Sequence, residues 1–327
     1  MSTPRAWLQA ILVGTEDDFW EREWLEFLVG DIALRYVHAD LHTVENPSLL
    51  ILSDGGGGNT NTVRQIIRGF KTRSMPIGIL HLSDEYCNCP IDFYADATFV
   101  IRNYYRPSAL GIAPCVHLPL GYKRGFPNGV NRQPIAGRRW RWFFAGEAKG
   151  ARIKMLNAAR AIPNGYAVAT ARWNDPAGLK TETYAAAMND TVFALCPRGN
   201  DSVDTFRVYE ALEAGAIPIV EDDGQLASLF HHLRFPEAAR SWFPPRIRHR
   251  YRAALGGSYW KGIFGEQCPL PRIHRWDRLA EVVGAIDIGR LSKEVDNWWA
   301  ETKQACCDRV RKLADLLIVR ETQPAVL

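Results

Sequence analysis

No apolar run in this sequence approaches the roughly 20 residues that a membrane-spanning helix requires, which argues against an integral membrane segment. Cysteine is scarce. The seven residues are odd in number and scattered, and only Cys87/Cys89 and Cys306/Cys307 lie close together. Neither spacing is that of a zinc-binding pair, and an odd scattered set is no disulfide framework, so the expectation is reduced thiols. The opening stretch, MSTPRAWLQAILVGTEDDFW, has one short apolar segment and early acids, unlike a secretory signal. Both features point to the cytoplasm, or equally to a soluble catalytic domain trimmed of an anchor. Charge of one sign is lacking too: the net value of +4 is too mild to indicate a nucleic-acid or membrane partner. The glycine run Gly55–Gly58 lacks the Gly-Lys-Ser/Thr of a phosphate loop, which excludes that type of nucleotide hydrolysis. No D-x-D stands in a context that reads as a metal site, and there is no internal repeat.

What is present suits two ordinary domains. The chain has 327 residues, 47% hydrophobic and 23% charged. Short apolar runs alternate with amphipathic stretches, the pattern of open parallel sheets. Strands are expected at Trp7–Val13, Leu34–Ala39, Leu49–Leu52, Pro76–Leu82, Ala97–Ile101 and Cys115–Pro119, with helices over Asp17–Val29 and Asn59–Lys71. The Gly-, Pro- and Asn-rich segment Lys123–Gly137 reads as a linker. Beyond it, strands are expected at Trp140–Ala145 and Tyr166–Ala171, and helices over Ala151–Ala161 and Thr181–Met188. One or two amphipathic helices are expected in Ser292–Val319.

The most informative stretch is FALCPRGNDSVDTFRVYEALEAGAIPIV, Phe193–Val220. It reads as strand, charged loop, helix and strand, with Asp204 or Thr205 as helix cap and Gly215 as stop. Arg198 follows the first strand, and Arg207 and Glu210 share a helix face three residues apart. A guanidinium forks onto phosphate oxygens, a helix N-terminus favours anions, and a carboxylate one turn in can accept a ribose diol. Together these make a socket for a nucleoside diphosphate; the plain alternative is an Arg–Glu pair on a solvated helix start. Arg152 and Lys154, in the first turns of another helix, oppose its dipole, which is easier to explain if an anion lies there.

The CPRG of Cys196–Gly199, then Ser202, Arg207, Glu210–Leu212 and Ala214–Val220, resemble the C-terminal signature of exostosin-like (GT47-type) glycosyltransferases. HLSDEYC at His81–Cys87, the following VIRNYY and PLGY, and FFAG with Arg152, Lys154, Met155 and Leu156 are similar to the branch containing the ribitol xylosyltransferases. The resemblance implies an α/β chain of GT-B fold, two Rossmann-like domains facing across a cleft. Residues 1–135 would form the acceptor-side domain and 136–290 the donor-nucleotide domain, with C-terminal helices in 291–327 that in this fold return to the first domain. It further implies an inverting transferase using a nucleotide sugar, UDP-linked and in this branch UDP-xylose, on a glycan or polyol-phosphate hydroxyl. The donor would be held by Arg152, Arg198, Gly199, Ser202, Thr205, Arg207 and Glu210. No cofactor beyond the nucleotide-sugar co-substrate and no metal are expected, the arginines and helix dipoles neutralising the leaving diphosphate. A hydrolase or epimerase on the same scaffold, and a non-catalytic carbohydrate- or nucleotide-sugar-binding protein, stay open beside this reading.

An inverting transferase needs a general base, and Asp84 and Glu85 stand just past a strand's end, where catalytic groups of such sheets collect. The resemblance favours Glu85; the plain alternative is that Ser83 or Asp84 caps a helix. His81 reads as a satisfied core histidine. Arg102 can hold donor or acceptor, or pair with a nearby acid. Gly55–Gly58 is either an acceptor-side loop or a mobile one, and Glu221–Asp223 reads as a solvated acidic turn in preference to a sugar contact. Arg240–Arg275, with Arg246, Arg248, Arg250 and Arg252 near Trp242, Tyr251, Tyr259 and Trp260, suits an acceptor-lining segment better than a single-stranded nucleic-acid site.

Overall fold

A computed structural model of the chain describes residues 6–39, 44–53, 60–87, 89–109, 111–127, 132–173, 175–200, 202–222 and 259–320. They fall into two units, one holding the described residues up to Pro119 and from Lys303 onward, the other Leu120–Thr302.

The first unit is built on β1 (Ala6–Val13), β2 (Ala33–His38), β3 (Ser48–Leu52), β4 (Ile77–His81), β5 (Phe99–Arg102) and β6 (Cys115–His117). Their order is β2-β1-β3-β4-β5-β6, all parallel. β3, β4 and β5 are buried along their whole length, as strands covered on both faces must be. Helix α1 (Arg22–Val29) follows β1 and α2 (Thr60–Thr72) follows β3. Val63, Ile67 and Phe70, at helical spacing, lay one face of α2 onto Leu50, Ile79 and Val100 of the sheet. Helix α1 starts later than the apolar spacing suggests. Thr15 Oγ1 donates to Asp18 Oδ2 at 2.6 Å, and the N–H of Phe19 bonds the carbonyl of Glu16, so these residues form a separate turn.

The second unit has β7 (Trp140–Glu147), α3 (Ala151–Ala159), β8 (Gly165–Thr170), α4 (Thr181–Asn189), β9 (Thr191–Cys196), α5 (Phe206–Glu213) and β10 (Ile217–Glu221). Then come α6 (Tyr259–Phe264), β11 (Arg272–Ile273), α7 (Leu279–Gly284) and α8 (Ile288–Ala314), the last of which runs on from Lys303 in the first unit. Its parallel sheet runs β11-β10-β9-β7-β8, so strand order reverses between β7 and β9. Phe144, Phe193, Leu195 and Ile219 of the sheet pack with Met155 and Ala159 of α3 and Leu279 and Val283 of α7.

The C-terminal region holds one continuous helix, α8, followed by β12 (Val319–Arg320), which pairs antiparallel with Ala6 and Trp7 of β1. A two-residue strand carries no periodicity, so sequence pattern merged it with the helix. Among the described residues, no helix is long and apolar enough to cross a membrane.

Candidate active site

In an open parallel sheet, ligands bind beyond the carboxyl ends of the strands where strand order reverses. In the second unit that place is between the ends of β7 and β9, and the expected donor residues gather there. The N–H of Gly199 donates to the carbonyl of Ser202 at 2.7 Å, and the Ser202 Oγ accepts the N–H of Asp204 at 3.1 Å, folding the loop after β9 into a tight turn. Thr205 takes the N-cap position of α5 with extended backbone, but makes no side-chain cap bond. Its Oγ1 is buried without a hydrogen-bond partner. The other expected cap, Asp204, accepts the Tyr259 hydroxyl at 2.6 Å.

Arg207 projects from the first turn of α5 back over β7. One guanidinium nitrogen donates to the carbonyl of Ala145 at 2.9 Å, and the group stands 4.8 Å from the centroid of the Phe144 ring. Its Nε is buried and has no hydrogen-bond partner. Gly146 makes this approach feasible: its φ is +141°, and a Cβ there would lie 3.0 Å from the guanidinium. One turn along, the buried carboxylate of Glu210 accepts the Tyr184 hydroxyl at 2.8 Å. Burial raises the pKa of Glu210, opposed by the Tyr184 bond, the charge of Arg207 and the N–H of Lys123. Burial also pushes the Cys196 thiol up to about 12, so it stays protonated and is no nucleophile.

Arg152 and Arg198 are committed locally. Arg152 donates twice to the carbonyl of Arg198, at 3.2 and 3.0 Å, and once to that of Glu147 at 3.0 Å. These bonds explain a buried cation in the first turn of α3 without an anion at that helix end; Arg152 ties the strand-end loops together. Arg198 gives its Nε to Glu221 at 2.6 Å and its backbone N–H to the same carboxylate at 3.1 Å. This corrects the solvated-turn reading of the acids after β10. Glu221 and Asp222 are both buried, and Glu221 also accepts the indole N–H of Trp276 at 3.1 Å. The carbonyl of Glu221 accepts that of Trp260 at 3.0 Å, so Trp260, fully buried, is a core side chain. At the far end of α5, Arg132 and Arg138 donate to the carbonyls of Leu212, Glu213 and Ala214, satisfying groups a helix C-terminus leaves open.

In the first unit the carboxyl end of β4 leads into a turn in which Ser83 and Cys87 adopt left-handed φ values of +60° and +45°. Such backbone is costly for non-glycine residues and concentrates at functional turns. The next helical turn among the described residues, Asp92–Asp96, has Ile91 at its N-cap, so Ser83 and Asp84 do not cap it. Asp84 points inward: its side chain is 1% exposed and accepts Arg102 at 3.0 Å, with Arg106 at 3.6 Å. Its second oxygen takes the N–H of Cys89 at 3.3 Å. Arg102, fully buried, is thus the partner of a local acid. Glu85 lies on the same turn and is only half-buried. His81 is fully buried with Nδ1 at 2.7 Å from the Tyr94 hydroxyl, as a core histidine should be. Polar atoms of His81, Asp84 and Cys89 lie within 4.8 Å of one another. A cation there would share the Asp84 carboxylate with two guanidiniums, which disfavours the site.

Residues that sequence pattern did not single out include Gly146, Tyr184 and Lys123, along with Glu21 and Asn103 in the first unit. Asn103 donates to Glu21 at 2.9 Å, both side chains are buried, and burial raises the Glu21 carboxyl to about 7. Gly55–Gly58, Asp201, Asp223, Trp242, Arg246, Arg248, Arg250, Tyr251 and Arg252 lie outside the described residues.

The two parallel sheets are those of a GT-B glycosyltransferase fold. The chain matches an alpha-glucosyltransferase in complex with UDP and a 13-mer DNA containing a central A:G mismatch, over 95% of this chain and 100% of that one, at 7% identity and a TM-score of 0.54. A second structure, alpha-glucosyltransferase (AGT) in complex with UDP, matches over the same shares at 8% identity and a TM-score of 0.50. An alpha1,3-fucosyltransferase matches over 67% of this chain and 68% of that one, at 11% identity and a TM-score of 0.38. Within this fold, residues 148–231 match the family model of the RXYLT1 C-terminal domain, from the ribitol xylosyltransferase family. No curated protein matches the chain in sequence.

Proposed function

We propose that this protein is an inverting glycosyltransferase that moves a sugar from a UDP-sugar to a hydroxyl of a glycan or polyol phosphate, without a metal ion. The observations that carry the donor half are the buried, unpartnered Nε of Arg207 and the unpartnered Thr205 Oγ1, both at the N-terminal end of α5 by the switch point of the sheet. Unpaired polar atoms in such a place suit the oxygens of a diphosphate. In this reading Arg207 and Arg198 meet the charge of the departing diphosphate, Arg152 keeps the Arg198 loop in place, and Glu210 holds the ribose. UDP is favoured because both alpha-glucosyltransferase neighbours bear it, and xylose because of the RXYLT1 match.

For the acceptor half, the exposed side of the turn after β4 supports Glu85 as base and Asp84 as the residue that positions the turn. The acceptor oxygen attacks the anomeric carbon opposite the diphosphate, Glu85 takes the hydroxyl proton, and the sugar–diphosphate bond breaks with its electron pair going to the diphosphate. The test is thermal shift with UDP, GDP, CMP and ADP, each with and without EDTA, followed by turnover of UDP-xylose on polyol phosphate, glycan and duplex DNA, with product anomer read by NMR. UDP-selective stabilisation insensitive to EDTA, and an inverted product on a polyol phosphate or glycan, are expected. Stabilisation by no nucleotide in folded protein would remove the donor socket; donor breakdown without any acceptor would make the protein a hydrolase.

A further inference from the structure

In the second unit the polar groups continue past Glu210 to an aromatic side chain. Strand β8 flanks β7, and the chain leaves its carboxyl end through Ala171, Arg172 and Trp173. This short exit is braced. Thr170 Oγ1 donates to the carbonyl of Arg172 at 3.2 Å, and the Asp175 carboxylate accepts the N–H groups of Ala171 at 3.3 Å and Ala177 at 3.0 Å. The loop holds Trp173 56% exposed, the most exposed large apolar side chain among the described residues. A single exposed apolar residue is ordinary on a protein surface. The surroundings of this one are not. The ammonium of Lys123 stands 5.1 Å from the centroid of its ring. Lys123 also gives its backbone N–H to the carboxylate of Glu210 and feels the charge of that group.

The sequence of groups is therefore Arg198 and Arg207, then Glu210, then Lys123 with Trp173. A nucleoside diphosphate presents diphosphate, ribose and base in the same order. We propose that Trp173 is the seat of the donor's nucleobase, its indole stacking on the heterocycle while the Lys123 ammonium donates to a base carbonyl oxygen. The inference rests on the donor reading above and extends it to the part of the ligand that Arg207 does not touch. An ammonium only donates, so carbonyl-bearing bases such as uracil fit better than adenine, which has no carbonyl.

Binding of UDP and of inorganic pyrophosphate by the full chain, measured by calorimetry for the wild type, Trp173→Ala and Trp173→Phe, separates the possibilities. Trp173→Ala should weaken UDP about tenfold or more while leaving pyrophosphate unchanged, and Trp173→Phe should retain most of the affinity. Unchanged UDP binding in Trp173→Ala overturns the inference and leaves the donor reading standing. Equal weakening of UDP and pyrophosphate overturns it too, because Trp173 would then support the loop and not the base. A wild type that binds neither ligand overturns both the inference and the donor reading.

Discussion

Glu221 takes both the backbone N–H and the guanidinium Nε of Arg198, at 3.1 and 2.6 Å. The first of these bonds orients the peptide that follows β9, and the second fixes the side chain, so one carboxylate sets the loop on which the expected donor contacts stand. Glu221→Gln keeps the shape and removes the charge. It should cost about 2 kcal/mol of stability and weaken UDP binding in the same protein. Denaturant titration and calorimetry check this, and unchanged UDP affinity would separate Glu221 from the donor loop.

Arg207 is the arginine of the group with a buried donor left over. If it meets charge that develops as the diphosphate leaves, Arg207→Ala should lower kcat by about a hundredfold or more with KM for the donor changed much less. Near-normal turnover in a folded variant would sink that role.

Asp84 and Glu85 are adjacent in sequence but have opposite settings. Asp84→Asn leaves the fully buried Arg102 without its counter-charge and should destabilise the fold by about 3–5 kcal/mol. Glu85→Gln should leave stability within about 1 kcal/mol while abolishing most turnover. Unfolding curves and initial rates on the two variants decide the matter; the reverse pattern would make Asp84 the base.

The Glu21 carboxyl is raised by burial from 4.5 to about 7, with the Asn103 hydrogen bond working against the shift. The folded state therefore holds its proton more tightly than the unfolded chain. Its contribution to stability is complete below pH 4.5 and is lost as pH rises through 7. Between those limits the wild type should lose about 3 kcal/mol relative to Glu21→Gln, which has no proton to release. Parallel unfolding curves for the two proteins across that range would show that Glu21 titrates normally.

Much of the framework was legible because it is local. Apolar runs of four to eight residues and the 3.6-residue spacing of α2 and α5 depend only on neighbours along the chain, and the expected strands and helices of both sheets lie close to those observed. The loop from Cys196 to Thr205, with Arg207 and Glu210 beyond it, was legible for the same reason. The separate turn at Thr15–Phe19 and the strand Val319–Arg320 were not. The first rests on a side-chain bond that competes with helix, and the second exists only because Ala6 and Trp7 of β1 precede its register with β3 and are left to pair with it.

The sequence by itself determined two alternating α/β segments, a charged loop at the head of a helix, and a pair of acids after a strand. Tertiary structure decided which of these charges turn inward. The partner of Arg152 lies 46 residues away, that of Arg198 lies 23 away and that of Arg207 lies 62 away. Asp84 turns inward onto Arg102 and Glu85 is only half-buried, although only one peptide bond separates them. Whether a charged side chain ends in a pair, on a carbonyl or at the site depends on which strands lie side by side, and sheet order is a long-range property that no local pattern carries.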